Sequence, residues 1–440
     1  MASDVAAVLK GKLDTIISKM AEKASLFVVD PDRDFTRNRT FTFEKTIKAI
    51  LGMGGNSLQK ELHDFFKDTD EFATKSAFVQ QRNKILYGSF EYILHKFNEC
   101  CDDDKTLDDY YIYACDGTTV NIAKNPNNKE TYIDNDEHEG FNQYHINTLY
   151  DLMNRTYADA IIQGVRRMNE PQAVADMVDS LTLRGKTILM GDRGYGALNL
   201  IEHCNRKDGL DYVFRVKEDW ITEVKDLPMT ELDTDVSFQI RTTQTNEDKL
   251  LYASGKAKYM SGASKFGKYK KSQTWDFGSP FDMNIRIVRF ILPGGKFETL
   301  ATSLDRKKFP LSRLKELYAR RWGIESSYRE LKYAIGLINF HARKDDSIKQ
   351  EIFASLIMYN LCERITAHAV VIQSVKNKHI YQVNFTMAVY VCLEYYRDKG
   401  TDPPDVLMEI SRYIEPVRKG RADKRKMKPK SVVHFIYRVA

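Results

Sequence analysis

The sequence predicts an α/β protein in which a mixed β-sheet lies between helical regions and is interrupted by a β-rich insertion. Apolar residues recur at helical spacing through most of residues 1–105 and again from residue 306 onward. Residues 106–217 alternate between β-branched runs and helical segments, the pattern of a mixed sheet. Residues 218–305 hold β-like runs separated by glycine and polar breaks, which predicts the insertion.

The first 105 residues predict short helices, with Ser57 as one N-cap. Basic residues are interspersed among them, including Arg37, Arg39, Lys45 and Arg82. Such a region suits a DNA-binding domain, although a plain helical domain with a hydrated basic face explains the residues equally well.

The predicted core begins with a β-rich run at 110–117, and residues 144–162 read as two strands around a polar turn. A helix beginning near Pro171 follows, then a buried strand that runs into Asp192, then another helix and strand. We expect the first three strands to be antiparallel.

The remaining elements are one continuous helix at about 311–333 and long helices within 346–440 that end in a basic tail at 418–430. Residues 256–275 interleave lysines with aromatic residues, which suits DNA contact or an ordinary hydrated loop. Residues 134–140 read as an acidic loop.

Bulk properties narrow the class of protein. The 440 residues carry a net charge of +6, which is compatible with a polyanionic partner. The six cysteines lack zinc-site spacing and are expected to be reduced thiols. The N-terminus lacks a signal-peptide pattern and no run approaches the roughly 20 apolar residues of a membrane span, so we expect a cytoplasmic protein without membrane contact. Dinucleotide and P-loop patterns are absent from the sequence, so we expect no nucleotide cofactor.

The predicted helix at 311–333 carries a polar stripe. Tyr318, Arg321, Glu325 and Lys332 share a face about 60° wide beside the apolar seam, where a surface helix normally has no such groups. A hydrated face with weak ion pairs is the alternative. The nearby acid Glu330 projects about 140° away from Glu325, so we expect Glu325 to be the functional acid. Trp322, at the edge of the stripe, is expected in the core, with DNA contact as the alternative.

Two aspartates end predicted central strands: Asp116 and Asp192. Functional groups of open α/β sheets gather outside such strand ends, and a carboxylate there needs a partner or a cation. Two ions about 3.5–4 Å apart can activate the nucleophile and hold the leaving oxygen of a phosphodiester. We therefore predict that Asp116, Asp192 and Glu325 are catalytic and bind two Mg²⁺ ions, which Mn²⁺ can replace.

These residues resemble those of a known family. The spacing of Tyr318, Arg321, Glu325 and Lys332 is similar to the Y-R-E-K signature of DDE-type bacterial insertion-sequence transposases. The segments ACDGTTV and GDRGYG resemble those of the two catalytic aspartates in this family. The resemblance, over roughly residues 35–370, implies a ribonuclease-H-like catalytic core. The expected domains are a helical DNA-binding domain at 1–105, the core at 106–217 and 306–345, the β-rich insertion at 218–305, and a C-terminal helical region at 346–440.

The resemblance also implies an activity, which is cleavage at the ends of an insertion sequence and strand transfer into target DNA, by cut-and-paste through a hairpin. Tyr318 and Arg321 would hold the distorted DNA end, and Lys332 would bind a nearby phosphate. The expected partners are double-stranded element ends and target DNA, with a homodimer in the synaptic complex.

Two other functions fit the same sequence. One is a related ribonuclease-H-like nuclease or resolvase that cuts without joining. The other is a non-catalytic DNA-binding regulator derived from a transposase, although the presence of Asp116, Asp192 and Glu325 argues against it.

Overall fold

The computed structural model describes most of the chain, in eight segments. They are residues 3–37, 39–67, 69–101, 104–134, 139–262, 274–373, 379–398 and 405–417. Within these segments, no helix is both long and apolar enough to cross a bilayer.

Fourteen helices and fourteen strands are described, counting only these segments. The helices are α1 Ser3–Glu22, α2 Phe43–Leu51, α3 Leu58–Phe66, α4 Lys75–Arg82, α5 Gly88–Glu99, α6 Glu170–Ser180, α7 Leu198–Arg206, α8 Thr222–Lys225, α9 Asn246–Ala253, α10 Leu311–Ala319, α11 Trp322–Glu330, α12 Asp345–Thr366, α13 Phe385–Arg397 and α14 Val406–Arg412. The strands are β1 Tyr111–Ile122, β2 Tyr132–Ile133, β3 Phe141–Asp151, β4 Thr156–Gly164, β5 Thr187–Gly191, β6 Leu210–Val216, β7 Leu232–Arg241, β8 Ala257–Tyr259, β9 Ser261–Gly262, β10 Thr274–Trp275, β11 Phe281–Ile291, β12 Phe297–Thr302, β13 Tyr381–Val383 and β14 Ile414–Pro416.

One large sheet organises the molecule. Its order is β2-β3-β1-β5-β6-β12-β11-β7-β8, and β4 pairs with β3. β1, β3 and β4 are antiparallel, whereas β5 lies parallel to β1 and β6 lies parallel to β5. This arrangement confirms the predicted ribonuclease-H-like mixed sheet, including its three antiparallel strands. The strands after β6 extend the same sheet, because β12 pairs with β6 and β11 pairs with both β12 and β7.

The helices before and after the sheet share one hydrophobic core. Apolar residues of α1 to α5 cluster with those of α11 to α14 and with one face of β1, β3 and β4. The long helix α12 crosses this core and packs against α1, α2, α5, α13 and β4. A second core on α6 and α7 includes residues of the β-rich segment. The central sheet is therefore covered by helices on both faces, which leaves its strand ends as the place for polar chemistry.

The predicted single helix at 311–333 is wrong, because α10 ends at Ala319 and α11 begins at Trp322. The backbone N–H of Arg321 donates to the carbonyl of Tyr318 at 3.1 Å, so the chain tightens to three-residue spacing between the helices. A π-helical turn over Leu331–Ile335 follows α11 and ends at Gly336, whose φ is +95°. The segment contains good helix formers, but propensity is a weak preference that packing overrides.

Candidate active site

Asp192 lies where the sequence predicts it, directly after β5. Its Oδ1 accepts the backbone N–H of Gly194 at 2.7 Å, which fixes the carboxylate in the turn that follows the strand. The preceding residue, Gly191, accepts a hydrogen bond at 3.3 Å from the hydroxyl of Tyr318 on α10. The strand end and the helix are thereby held together at this point.

Asp116 does not end its strand, which corrects the prediction. β1 continues to Ile122, because the residues after Asp116 pair with β3. The parallel pairing between β1 and β5 ends at Cys115 and Gly191. Asp116 directly follows Cys115, and Asp192 directly follows Gly191, so the two aspartates leave the pairing at the same level of the sheet. The hydroxyl of Tyr328 on α11 donates to the Asp116 carbonyl at 2.6 Å, which anchors α11 beside the aspartate.

Glu325, on α11, lies near Asp116 and Asp192. Its Oε1 accepts a hydrogen bond at 3.0 Å from Nη2 of Arg321, whose side chain is 6% exposed. Burial raises the pKa of Asp116 to about 6; Asp192 and Glu325 also raise it, and Arg321 opposes them. Asp116, Asp192 and Glu325 therefore belong to one electrostatic site, and Arg321 is a cation within it.

The other residues of the stripe lie around this site. Tyr318 is buried, and the Arg321 guanidinium lies 5.8 Å from its ring centroid. Lys332 is half-buried in the π-helical turn. Their expected DNA contacts stay predictions. The expected core position of Trp322 is wrong, because its side chain is 54% exposed and its ring lies 5.1 Å from the Arg321 guanidinium.

Glu330 belongs to a different cluster. It accepts hydrogen bonds from Nη2 of Arg155 at 3.0 Å and from the hydroxyl of Tyr359 at 2.8 Å. Arg155 also binds Glu363 on α12. These contacts give Glu330 a structural role between α11 and α12.

The donor set at the site suits hard divalent cations, because Asp116, Asp192 and Glu325 offer carboxylate oxygens. Among the described residues, the three-ligand group whose atoms all lie within 4.8 Å of one another is Glu91, His95 and Asp159, not these three. The wider spacing of the predicted trio is compatible with two ions rather than one. Arg321 supplies the positive charge that such a cluster requires.

Two further polar side chains lie against the site, and sequence reasoning missed both. Nε2 of the buried His145 lies 2.9 Å from Oε1 of Glu170, although their geometry does not make a hydrogen bond. A Cβ on Gly117 would lie 2.4 Å from that Nε2, and a Cβ on Gly194 would lie 3.4 Å from Oε2 of Glu170. The glycines that follow both aspartates were the available signal, since each admits a close neighbour.

A charged cleft opens beside Asp192. Its volume is about 470 Å³, and the cations Arg193, Arg215 and Lys217 line it together with the acids Glu218 and Asp219. Arg193 directly follows Asp192, whereas Arg215 lies on β6 and Lys217 directly after it, so the fold brings these three cations together. Most of the lysine- and aromatic-rich segment 256–275, much of the acidic loop 134–140 and the whole basic tail 418–430 lie outside the described residues.

Comparisons with known proteins identify the family of this chain. Residues 108–361 match the family described as the transposase DDE domain. An 82-residue segment is 36% identical to "Transposase InsG for insertion sequence element IS4" of Escherichia coli (strain K12), over 18% of this chain and 19% of that relative. The chain is also similar, at a TM-score of 0.46 and 12% identity, to the cryo-EM structure of the piggyBac transposase synaptic complex with hairpin DNA. That similarity covers 94% of this chain and 87% of the other. Because the family match extends over more than half of the sequence and includes Asp116, Asp192 and Glu325, this chain belongs to the transposase DDE domain family.

Proposed function

We propose that this protein is a metal-dependent DNA transposase that cleaves the ends of an insertion sequence and joins them to target DNA. The observation that carries the proposal is the convergence of Asp116, Asp192 and Glu325 around Arg321 in a chain of the transposase DDE domain family. We assign these three carboxylates as ligands of two Mg²⁺ ions, which Mn²⁺ can replace. When bound, such ions activate water or a 3′-hydroxyl and stabilise the leaving oxygen.

The protein's own residues have distinct roles in this proposal. Arg321 neutralises Glu325 in the structure; once Glu325 binds a cation, the guanidinium becomes available for a DNA phosphate. Tyr318 holds α10 against the end of β5 and keeps Arg321 beside the aspartates. Lys332 and the cleft at Arg193, Arg215 and Lys217 supply further phosphate contacts, which need no base sequence.

The same proposal includes the reaction course and the partners. Water first cuts one strand at the element end, and the freed 3′-hydroxyl then forms a hairpin that is reopened before insertion. Two element ends must be held together, so a homodimer acts on DNA in the cytoplasm. Residues 1–105 bind DNA, 106–217 with 306–345 form the catalytic core, 218–305 form the β-rich insertion, and 346–440 form the C-terminal region.

The test is a cleavage and joining assay on a labelled duplex that carries the element end, with Mg²⁺ present. Glu325→Ala should bind the duplex but neither cut nor join it, whereas Glu316→Ala, an exposed acid on α10, should behave as wild type. Full activity of Glu325→Ala overturns the site assignment. Cutting without joining supports the nuclease or resolvase, and binding without cutting in any metal supports the regulator. Absence of hairpin ends from a time course removes the hairpin step.

A further inference from the structure

A second cluster of metal-ligating side chains lies between α5 and the edge strand β4. Glu91 and His95 are one turn apart on α5, so they project from the same face of the helix. Asp159 faces them from β4, with its Oδ1 2.9 Å from Nε2 of His95. One ligand atom from each of the three residues lies within 4.8 Å of the other two.

The backbone elements that present these ligands are themselves fixed. α5 buries Phe90, Ile93, Leu94 and Phe97 in the core, which leaves Glu91 and His95 at its border with β4. Asn98, one turn further along, donates to the Tyr157 carbonyl at 2.9 Å and so ties α5 to β4. Ligands held in this way need little rearrangement to bind an ion.

The charges of the cluster do not balance. Two carboxylates face a single imidazole, and the Asp159 side chain is only 8% exposed. Among the described residues, no lysine or arginine nitrogen lies within 4.0 Å of either carboxylate. A divalent cation would supply the missing positive charge.

We propose that Glu91, His95 and Asp159 bind one Zn²⁺ ion, with water as the fourth ligand. One imidazole nitrogen and two carboxylate oxygens suit zinc in tetrahedral coordination, whereas Mg²⁺ prefers oxygen ligands alone. The ion would connect the N-terminal helices to the strand next to β3, which pairs with the strand that carries Asp116. The site is separate from the carboxylates of the proposed transposase reaction and does not depend on that function.

The test uses the full chain, stripped of metal by a chelator and titrated with ZnCl₂ in the presence of Mg²⁺. Wild type should bind one Zn²⁺ ion, and zinc should raise the Tm of the wild-type protein. His95→Gln should weaken this binding by more than about 10-fold and abolish the rise in Tm. His63→Gln is the matched control, because His63 is exposed and its Nδ1 lies 3.4 Å from a carboxylate oxygen of Asp64. It should bind zinc as wild type does.

Two additional measurements keep the test decisive. Co²⁺ in place of Zn²⁺ should give the visible absorption of a tetrahedral ion in wild type, and His95→Gln should lose it. Glu91→Gln keeps the size of the side chain and should weaken zinc binding even if His95→Gln folds poorly. Wild-type protein that takes up no zinc, or zinc affinity unchanged in both variants, would overturn the proposal.

Discussion

Arg321 and Glu325 form a 3.0 Å ion pair across one turn at the start of α11, and the pair lies among the carboxylates of the candidate active site. The arginine side chain is 6% exposed, so this is not a hydrated surface pair. An isolated cluster of three acids in this position would be costly. The cation from the neighbouring turn therefore allows the site to fold before any metal binds.

Arg321→Met should make folding depend more strongly on metal. Without the guanidinium, Asp116 and Glu325 lose one favourable charge interaction, at a cost of about 1–3 kcal/mol in the free energy of unfolding. We expect a lower Tm than wild type in EDTA and a larger rise in Tm on addition of Mg²⁺. Thermal unfolding in both buffers measures this, with Arg329→Met on the exposed face of α11 as control. Equal Mg²⁺-induced shifts in wild type and Arg321→Met would contradict the counter-ion role.

Metal binding should weaken as the pH falls through about 6. Burial raises the pKa of Asp116 to about 6, so below that pH the carboxyl holds a proton that competes with a metal ion. Without metal, the same shift lowers stability as the pH rises from the unfolded value of 3.8 toward 6, because the buried group must ionise. Mn²⁺ binding followed by electron paramagnetic resonance from pH 5 to 8 should show one inflection near 6. Asp116→Asn should remove that inflection; a wild-type affinity that does not vary with pH would refute the shift.

Gly117→Ala should disturb the packing next to Asp116 and lower the stability of the protein. The added Cβ would lie 2.4 Å from Nε2 of the buried His145 and 2.7 Å from Oε1 of the half-buried Glu170, so both side chains must move. Overpacking of this kind costs about 1–3 kcal/mol. Urea unfolding should show the loss, and DNA cleavage should fall with it. Gly11→Ala on α1, where a Cβ has nothing within 4 Å, should be neutral or stabilising by roughly 0.5–1 kcal/mol. Equal free energies of unfolding for the two variants would contradict this prediction, because they would mean that His145 can move at little cost.

Two features of the candidate site follow from local sequence pattern, and the roles of its residues stay predictions. Asp192 was found because a continuous apolar run ends at it, and such a run indicates a buried strand. The choice of Glu325 over Glu330 followed from helical angles, and Glu330 indeed binds Arg155 and Tyr359 elsewhere.

The errors came from pairing and packing at long range. β1 passes through Asp116 because β3 pairs with the residues beyond it, and a single strand does not reveal how far its partner extends. The turn at Arg321 contains no proline, and Tyr318 and Arg321 are both buried there, so no helix-breaking residue in the sequence marks it. The close approach of His145 and Glu170 joins a strand to a helix start that is distant in sequence, so no local pattern contains it.

The buried ion pair between Arg82 and Glu351 should contribute strongly to stability. Arg82 on α4 is almost fully buried and donates to Oε1 of Glu351 at 2.6 Å and to the Ser347 carbonyl at 2.9 Å. Burial acts to raise the pKa of Glu351. The charge of Arg82 and the neighbouring His341 outweigh that effect and lower the pKa to about 2. Removing one partner leaves a buried charge, so Arg82→Ala should cost about 3–5 kcal/mol in the free energy of unfolding.

Lys60→Ala provides the matched comparison, because Lys60 forms an exposed ion pair with Asp64 one turn away. Exposed pairs of this kind contribute about 0.3–0.5 kcal/mol, so urea unfolding should separate the two variants clearly. The contribution of the Arg82 pair should also disappear as the pH falls from 4.5 toward 2, since Glu351 must then be protonated. Similar losses for both variants would mean that α4 does not depend on Arg82 to pack against α12, and that the shared core alone holds these helices together.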